Sequence, residues 1–237
     1  KLEYRGYDSA GIAVFDGESI NVAKTKGRLK VLSELTHDGR MLPGTLGIGH
    51  TRWATHGSPS DTNAHPHLNS EETIVVVHNG IIENYLKLKK KLESKGYRFV
   101  SETDTEVIAH LLDYYYRGNP LEAVTKIMHR MEASYPLGII FKDHPNELYA
   151  VRKDSPLIVG HTDGGSIIAS DVPAVLKYTR DVYFIENEEI VRLTEQNMEF
   201  FTVDEEQLKK EPVHIDWDAN AAEKGGYEHF MLKEMYE

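Results

Sequence analysis

Cysteine does not occur anywhere in the 237 residues. That excludes disulfides, zinc–thiolate sites and iron–sulfur clusters. No unbroken apolar run reaches the length of about 18 residues that a membrane span needs. The opening Lys1-Leu2-Glu3-Tyr4-Arg5 lacks the marks of a secretory leader. Positive charge is scarce: 27 Lys and Arg face 38 Asp and Glu, a formal net charge of −11. Nonspecific nucleic-acid binding needs clustered Lys and Arg, so nucleic acid is excluded as a general partner. The one dense basic run, Lys87, Lys89, Lys90 and Lys91, follows an amphipathic helical pattern and reads as a solvated face. Neither a Walker A motif nor GxGxxG is present, and no cofactor is implied. Together these absences favour the cytoplasm.

A hydrophobic fraction of 40% and a charged fraction of 27% suit a globular chain with a substantial core. The pattern predicts a turn entering a strand over 7–15, strands at 19–24 and 46–50, and a helix over 28–37. A polar loop from Thr51 to Asn69 follows, long enough to suggest function. The β-branched run from Thr73 to His78 reads as a central buried strand. Helices are expected from Ile81 to Gly96, from Asp104 to Tyr116 and from Pro120 to about Glu132. Tyr97 to Val100 reads as a short strand, and Thr103 with Glu106 as a capping box. The second half reads as successive strands with a short helix at 172–178. Without regular βαβ alternation, this predicts a layered α+β fold with two antiparallel sheets. The tail 217–237 reads as a mildly helical arm.

Several loop residues carry two readings. Asn79-Gly80, closing the buried strand, is either a turn or a pair of donors aimed at developing negative charge. Arg52 is either a surface arginine or a clamp for a carboxylate, with Thr55 and His56 as further donors and Trp53 as a wall or lid. Asp104 is either a helix-end charge or a partner for an ammonium group. An arginine and an aspartate together match the zwitterionic head of an amino acid. His65 and His67, with Asp61, His56 and His78, show weak metal-ligand spacing, and no metal is assigned.

These stretches, taken in order, resemble a known family. They include residues 2–11, then Gly49-His50-Thr51-Arg52-Trp53-Ala54-Thr55-His56-Gly57 and Asn63-Ala64-His65-Pro66-His67. Val77-His78-Asn79-Gly80-Ile81-Ile82-Glu83-Asn84-Tyr85, residues 101–106 and residues 229–235 complete the set. The chain is similar to the glutaminase domain of glutamine–fructose-6-phosphate aminotransferases, also called glucosamine-6-phosphate synthases. These are class II glutamine amidotransferases of the N-terminal nucleophile hydrolase type. The resemblance implies an α+β four-layer αββα sandwich, two antiparallel sheets between helical layers. It implies hydrolysis of the glutamine side-chain amide, the ammonia passing to fructose-6-phosphate in the full enzyme. Asn79 and Gly80 would form the oxyanion hole. Arg52, Thr55 and His56 would hold the α-carboxylate, and Asp104 with Gly80 the α-amino group. Trp53 would lie on the closing loop, and Arg5 would support Asn79. A sugar isomerase domain reached through the 217–237 arm, and a homodimer, are implied partners.

The same resemblance puts the nucleophile, an N-terminal cysteine, roughly twenty residues ahead of Lys1. The 237 residues do not include it. The alternative expectation is therefore a non-catalytic glutamine-binding or structural domain.

Overall fold

The computed structural model describes residues 6–216. Arg5 and the arm at 217–237 lie outside the described residues.

Strand β1 (Ser9–Phe15) and strand β2 (Ile20–Lys26) form an antiparallel hairpin. Its turn is built by Asp16, whose carboxylate accepts the N–H groups of Glu18 at 2.9 Å and Ser19 at 2.8 Å. Helix α1 (Leu29–Leu35) follows, then β3 (Leu46–Arg52), which returns to pair with the other edge of β1. The resulting small sheet has the order β2-β1-β3.

The chain then supplies β4 (His67–Leu68), β5 (Ile74–His78) and β6 (Ile81–Ile82). Three helices come next: α2 (Tyr85–Glu93), α3 (Thr105–Tyr115) and α4 (Pro120–Met128). Strands β7 (Ala133–Phe141), β8 (Leu148–Lys153), β12 (Glu189–Leu193), β13 (Met198–Thr202) and β14 (Gln207–Leu208) complete a large antiparallel sheet. Its order is β14-β13-β12-β8-β7-β5-β4, with β6 on β7. A separate sheet, β10-β9-β11-β15, uses β9 (Ile158–Thr162), β10 (Gly165–Ala169), β11 (Asp181–Phe184) and β15 (Val213–His214).

The layering follows from side-chain alternation. In β5, Ile74 and Val76 join the core formed with α2, α3 and α4, whereas Val75 and Val77 join the core facing the smaller sheets. Burial of both faces explains why this strand is apolar at nearly every position. Ala13 and Ile48 of the first small sheet, and Val159 of the second, meet Val75, Ile140 and Val191 in that second core. The outer face of the four-stranded sheet is covered by a short 3-10 turn, Val172–Ala174. Antiparallel sheets thus lie between helical elements, as the sequence pattern and the resemblance imply. Among the described residues no helix is long and apolar enough to cross a membrane.

Four local expectations change. Tyr97 to Val100 forms no strand; Tyr97 and Phe99 instead pack on the His110 ring, at centroid distances of 5.3 and 4.7 Å. The expected helix start at Ile81 is a strand bridge to β7, and the helix begins at Tyr85. The 172–178 helix is reduced to the 3-10 turn. Only half of the capping box forms. Thr103 Oγ1 accepts the Glu106 N–H at 3.4 Å, but the Glu106 carboxylate turns away to the N–H groups of Val100 and Ser101, at 2.8 and 2.7 Å.

Candidate functional site

Arg52 ends β3, opposite Ser9 of β1, so the sheet delivers its side chain into the interior at 4% exposure. One guanidinium nitrogen, Nη2, donates to the carbonyls of His56 and Gly57, the latter at 3.0 Å. This curls the 53–57 loop around the side chain. The other, Nη1, is buried with no hydrogen-bond partner among the described residues. Burial draws the guanidinium below its usual pKa, and the charges of Asp8 and Asp104 oppose the shift. Asp8 also accepts the Ala54 N–H. One carboxylate therefore both tethers the loop and faces the cation.

Asp104 precedes α3 and is 3% exposed. Its Oδ2 accepts the Ile82 N–H at 2.8 Å, which ties the 79–82 turn to the start of α3. His78, at the end of β5, reinforces the tie through Nδ1 to Thr105 Oγ1 at 3.0 Å. Asn79 donates its N–H to Pro136 O at 3.3 Å. Its side chain lines a cavity of about 580 Å3 together with Thr51 and His78. That cavity lies between the outer edges of β3 and β10 and over β7; Arg52, Gly80 and Asp104 are not on its wall. Gly80 has a steric reason of its own: a Cβ there would lie 2.0 Å from Ser134 O.

The structure thus brings Arg52, Asp104 and the 79–80 turn to one locality. The remaining predicted residues are less engaged. Trp53 is 61% exposed and meets Tyr7 edge-on at 5.3 Å. Thr55 is exposed. His56 contributes its carbonyl to Arg52, while its ring stands edge-on to Tyr85 at 4.9 Å.

Sequence reading missed the residue that joins the two halves. Asn63, 4% exposed, donates Nδ2 to Ser58 O at 2.9 Å and to the Glu102 carboxylate at 3.1 Å. Its Oδ1 accepts the Glu102 N–H at 3.0 Å. The Arg52 loop and the approach to Asp104 are therefore tied through one side chain. Its place at the head of the Asn63-Ala64-His65-Pro66-His67 stretch was the signal available.

Three of the histidines form a group of neighbouring rings. His65 lies against His50 and His67, at centroid distances of 4.7 and 5.0 Å. His67 meets Thr103 Oγ1 at 3.1 Å. Burial, helped by His50, His67, His78 and Arg52, holds His65 well below the usual range. Burial and Lys24 take His67 to about 3 against the pull of Glu106. Burial takes His78 to about 4 against Asp104. At neutral pH all three are uncharged.

The comparisons identify the class as a glutamine amidotransferase domain. The family model described as "Glutamine amidotransferase domain" matches residues 50–177, and the chain belongs to this family. It is 60% identical over 237 residues to the glutamine–fructose-6-phosphate aminotransferase (isomerizing) of Clostridium acetobutylicum, covering all of this chain and 39% of that one. The corresponding Thermus thermophilus protein is 51% identical over 238 residues, again with 39% of its length covered. The chain therefore spans about two-fifths of the length of these relatives. Among solved structures, the allosteric regulatory enzyme of purine biosynthesis aligns with a TM-score of 0.73 at 24% identity, over 85% of this chain and 44% of that one. A Bacillus subtilis glutamine phosphoribosylpyrophosphate amidotransferase aligns with a TM-score of 0.71 at 24% identity and the same coverage. At that identity the likeness shows the fold.

One expectation is overturned. Hydrolysis of glutamine by this family's route needs a cysteine thiolate, and none of the 237 residues is a cysteine. The 237 residues therefore do not supply the nucleophile of the glutaminase reaction, and the non-catalytic alternative is the better supported reading of them.

Proposed function

We propose that these residues form a glutamine-binding module that holds the amino acid by its head without cleaving its side-chain amide. The observation that carries the reading is the buried Arg52, with Nη1 lacking an acceptor among the described residues and with the Asp104 carboxylate near enough to act on its charge. A buried guanidinium donor without an acceptor is costly unless a ligand completes it, and a carboxylate fits its planar fork. Asp104 supplies the complementary charge for an α-ammonium, and Asn79 with Gly80 provides amide donors for the side-chain end. Trp53, Thr55 and His56 would border the ligand from the 53–57 loop. The greater length and the names of the relatives support placing the module, in a longer chain, beside a sugar isomerase domain.

Calorimetry tests the reading. L-Glutamine should bind the folded protein with no ammonia released. Glutarate, which lacks the ammonium group, should bind at least about tenfold more weakly. Arg52→Lys, which loses the bidentate fork, should weaken glutamine binding by roughly ten- to a hundredfold while the chain stays folded. Absence of glutamine binding to folded wild-type protein, or unchanged affinity in Arg52→Lys, would defeat the proposal. Ammonia release would defeat its non-catalytic half.

A further inference from the structure

Lys24 of β2 stands opposite Gly11 of β1, and Gly11 stands opposite His50 of β3. The segment 62–66 crosses this three-strand rung and is gripped along it. Over the middle strand, the His65 carbonyl sits so close that a Cβ on Gly11 would lie 2.1 Å from its oxygen. Over β3, the His65 ring stacks on His50. Over β2, the half-buried Lys24 ammonium donates to Thr62 O and Ala64 O, both at 3.1 Å, and to Pro66 O at 3.4 Å. An ammonium has three N–H donors, and these three carbonyls use them all. Lys26 adds a parallel contact, its N–H donating to Asp61 Oδ1 at 2.7 Å.

The gripped segment contains Asn63, which ties Ser58 to Glu102. Ser58 follows Gly57, one of the two carbonyls that hold Arg52, and Glu102 lies two residues before Asp104. A continuous chain of contacts runs from Lys24 to both halves of the zwitterion clamp. Nothing in it depends on packing by the lysine's carbon stem alone.

We propose that Lys24 is a positioning residue for glutamine binding: its carbonyl-caged ammonium fixes the 62–66 segment and, through Asn63, the spacing between Arg52 and Asp104. This rests on the glutamine-binding reading above. Burial lowers the Lys24 pKa, with Glu106 opposing, as befits an ammonium whose nearest partners are neutral carbonyls.

The cage makes a specific test available. Lys24→Ala removes three methylenes and the ammonium, a fragment matched by n-propylammonium. Glutamine affinity by calorimetry and hydrogen exchange of residues 60–67 are measured on the full chain. Lys24→Ala should weaken glutamine binding by roughly ten- to a hundredfold, the scale of hydrogen bonds to a charged group, and speed exchange in that segment. Added n-propylammonium should restore most of both, whereas n-propanol at equal concentration, or sodium chloride at equal ionic strength, should not. Lys24→Met, similar in length but uncharged, should show the same loss, and it replaces the alanine variant if that one fails to fold. Equal glutamine affinity in wild type and either variant would overturn the proposal, as would equal rescue by propanol. Wild-type protein that does not bind glutamine would overturn the site reading as well, an outcome distinct from the failure of Lys24 alone.

Discussion

Replacing Asn63 by alanine removes three hydrogen bonds at a residue that is 4% exposed. Two are neutral, to Ser58 O and from Glu102 N–H, and net about 1 kcal/mol each. The third reaches the Glu102 carboxylate and is worth about 1.5–3 kcal/mol where water is excluded. Ser58 and Glu102 are exposed, so water takes over part of what Asn63 supplied. The expected loss is therefore about 2 kcal/mol rather than the full sum. With a urea slope of about 2–3 kcal/mol/M for a chain of this size, the midpoint should fall by roughly 0.7–1 M at unchanged slope. Asn63→Asp is the sharper probe, since it keeps the shape and sets a second carboxylate against Glu102 and the Ser58 carbonyl. It should be less stable than the alanine variant at pH 7 and should recover relative to it as the carboxylates protonate near pH 4. An alanine variant within about 0.5 kcal/mol of wild type would refute the linking role of Asn63, as would an aspartate variant as stable as wild type at pH 7.

Acid should weaken the fold early. The folded pKa values of His67 and His78, about 3 and about 4, lie below the ordinary 6.5, so the unfolded chain binds protons first as the pH falls. The stability they contribute is complete above about pH 6.5 and is lost down to about pH 4 for His78 and about pH 3 for His67, with His78 alone accounting for roughly 3 kcal/mol. Urea midpoints that stay flat between pH 7 and pH 5 would contradict this. Glu106 follows later. Burial raises its pKa, but hydrogen bonds from His110, Ser101 and the Val100 N–H outweigh that and hold it at about 2, so its contribution fades only from about pH 4.5 downward. Gly11→Ala forces a Cβ to 2.1 Å from the His65 carbonyl and 2.6 Å from Lys24 Cβ, and should lower the melting temperature by at least about 5 °C. Gly164→Ala, which meets nothing within 4 Å, is the control and should shift it little.

The strongest features of the fold were legible where one local pattern met one structural demand. The run from Thr73 to His78 reads as a buried strand, and β5 is buried on both faces. The hairpin between the strands expected at 7–15 and 19–24 forms, and the Asp16 carboxylate caps its turn. Patterns failed where a residue satisfies something remote. Alternating Tyr97 and Phe99 imitate a strand because both rings face one way, yet what they face is His110 of α3. Glu106 sits at capping-box spacing from Thr103 but is claimed by Val100 and Ser101. In the site, Arg52, Asp104 and Asn79 could be named because each residue type implies a chemistry. Lys24 and Asn63 could not. Their partners are main-chain atoms or side chains about forty positions away, and such contacts leave no periodic trace.

The clamp is built independently of any nucleophile. Each element of the clamp is held by contacts that lie wholly within the described residues. Arg52 is held by its own loop, and the loop by Asp8. Asp104 is held by Ile82, and the approaches to both are joined by Asn63. None of these contacts requires a thiolate to form. The electrostatics point the same way: three buried histidines are kept neutral, and the charges around the clamp include those of Arg52, Asp104, Asp8, Lys24 and Glu106. An amino acid's head group adds one carboxylate and one ammonium to that set, leaving its net charge unchanged. Head-group binding therefore needs no proton uptake or release at neutral pH. Glutamine titrations in buffers of different ionisation enthalpy should give the same heat between pH 7 and pH 8, and a buffer-dependent heat would contradict this charge balance.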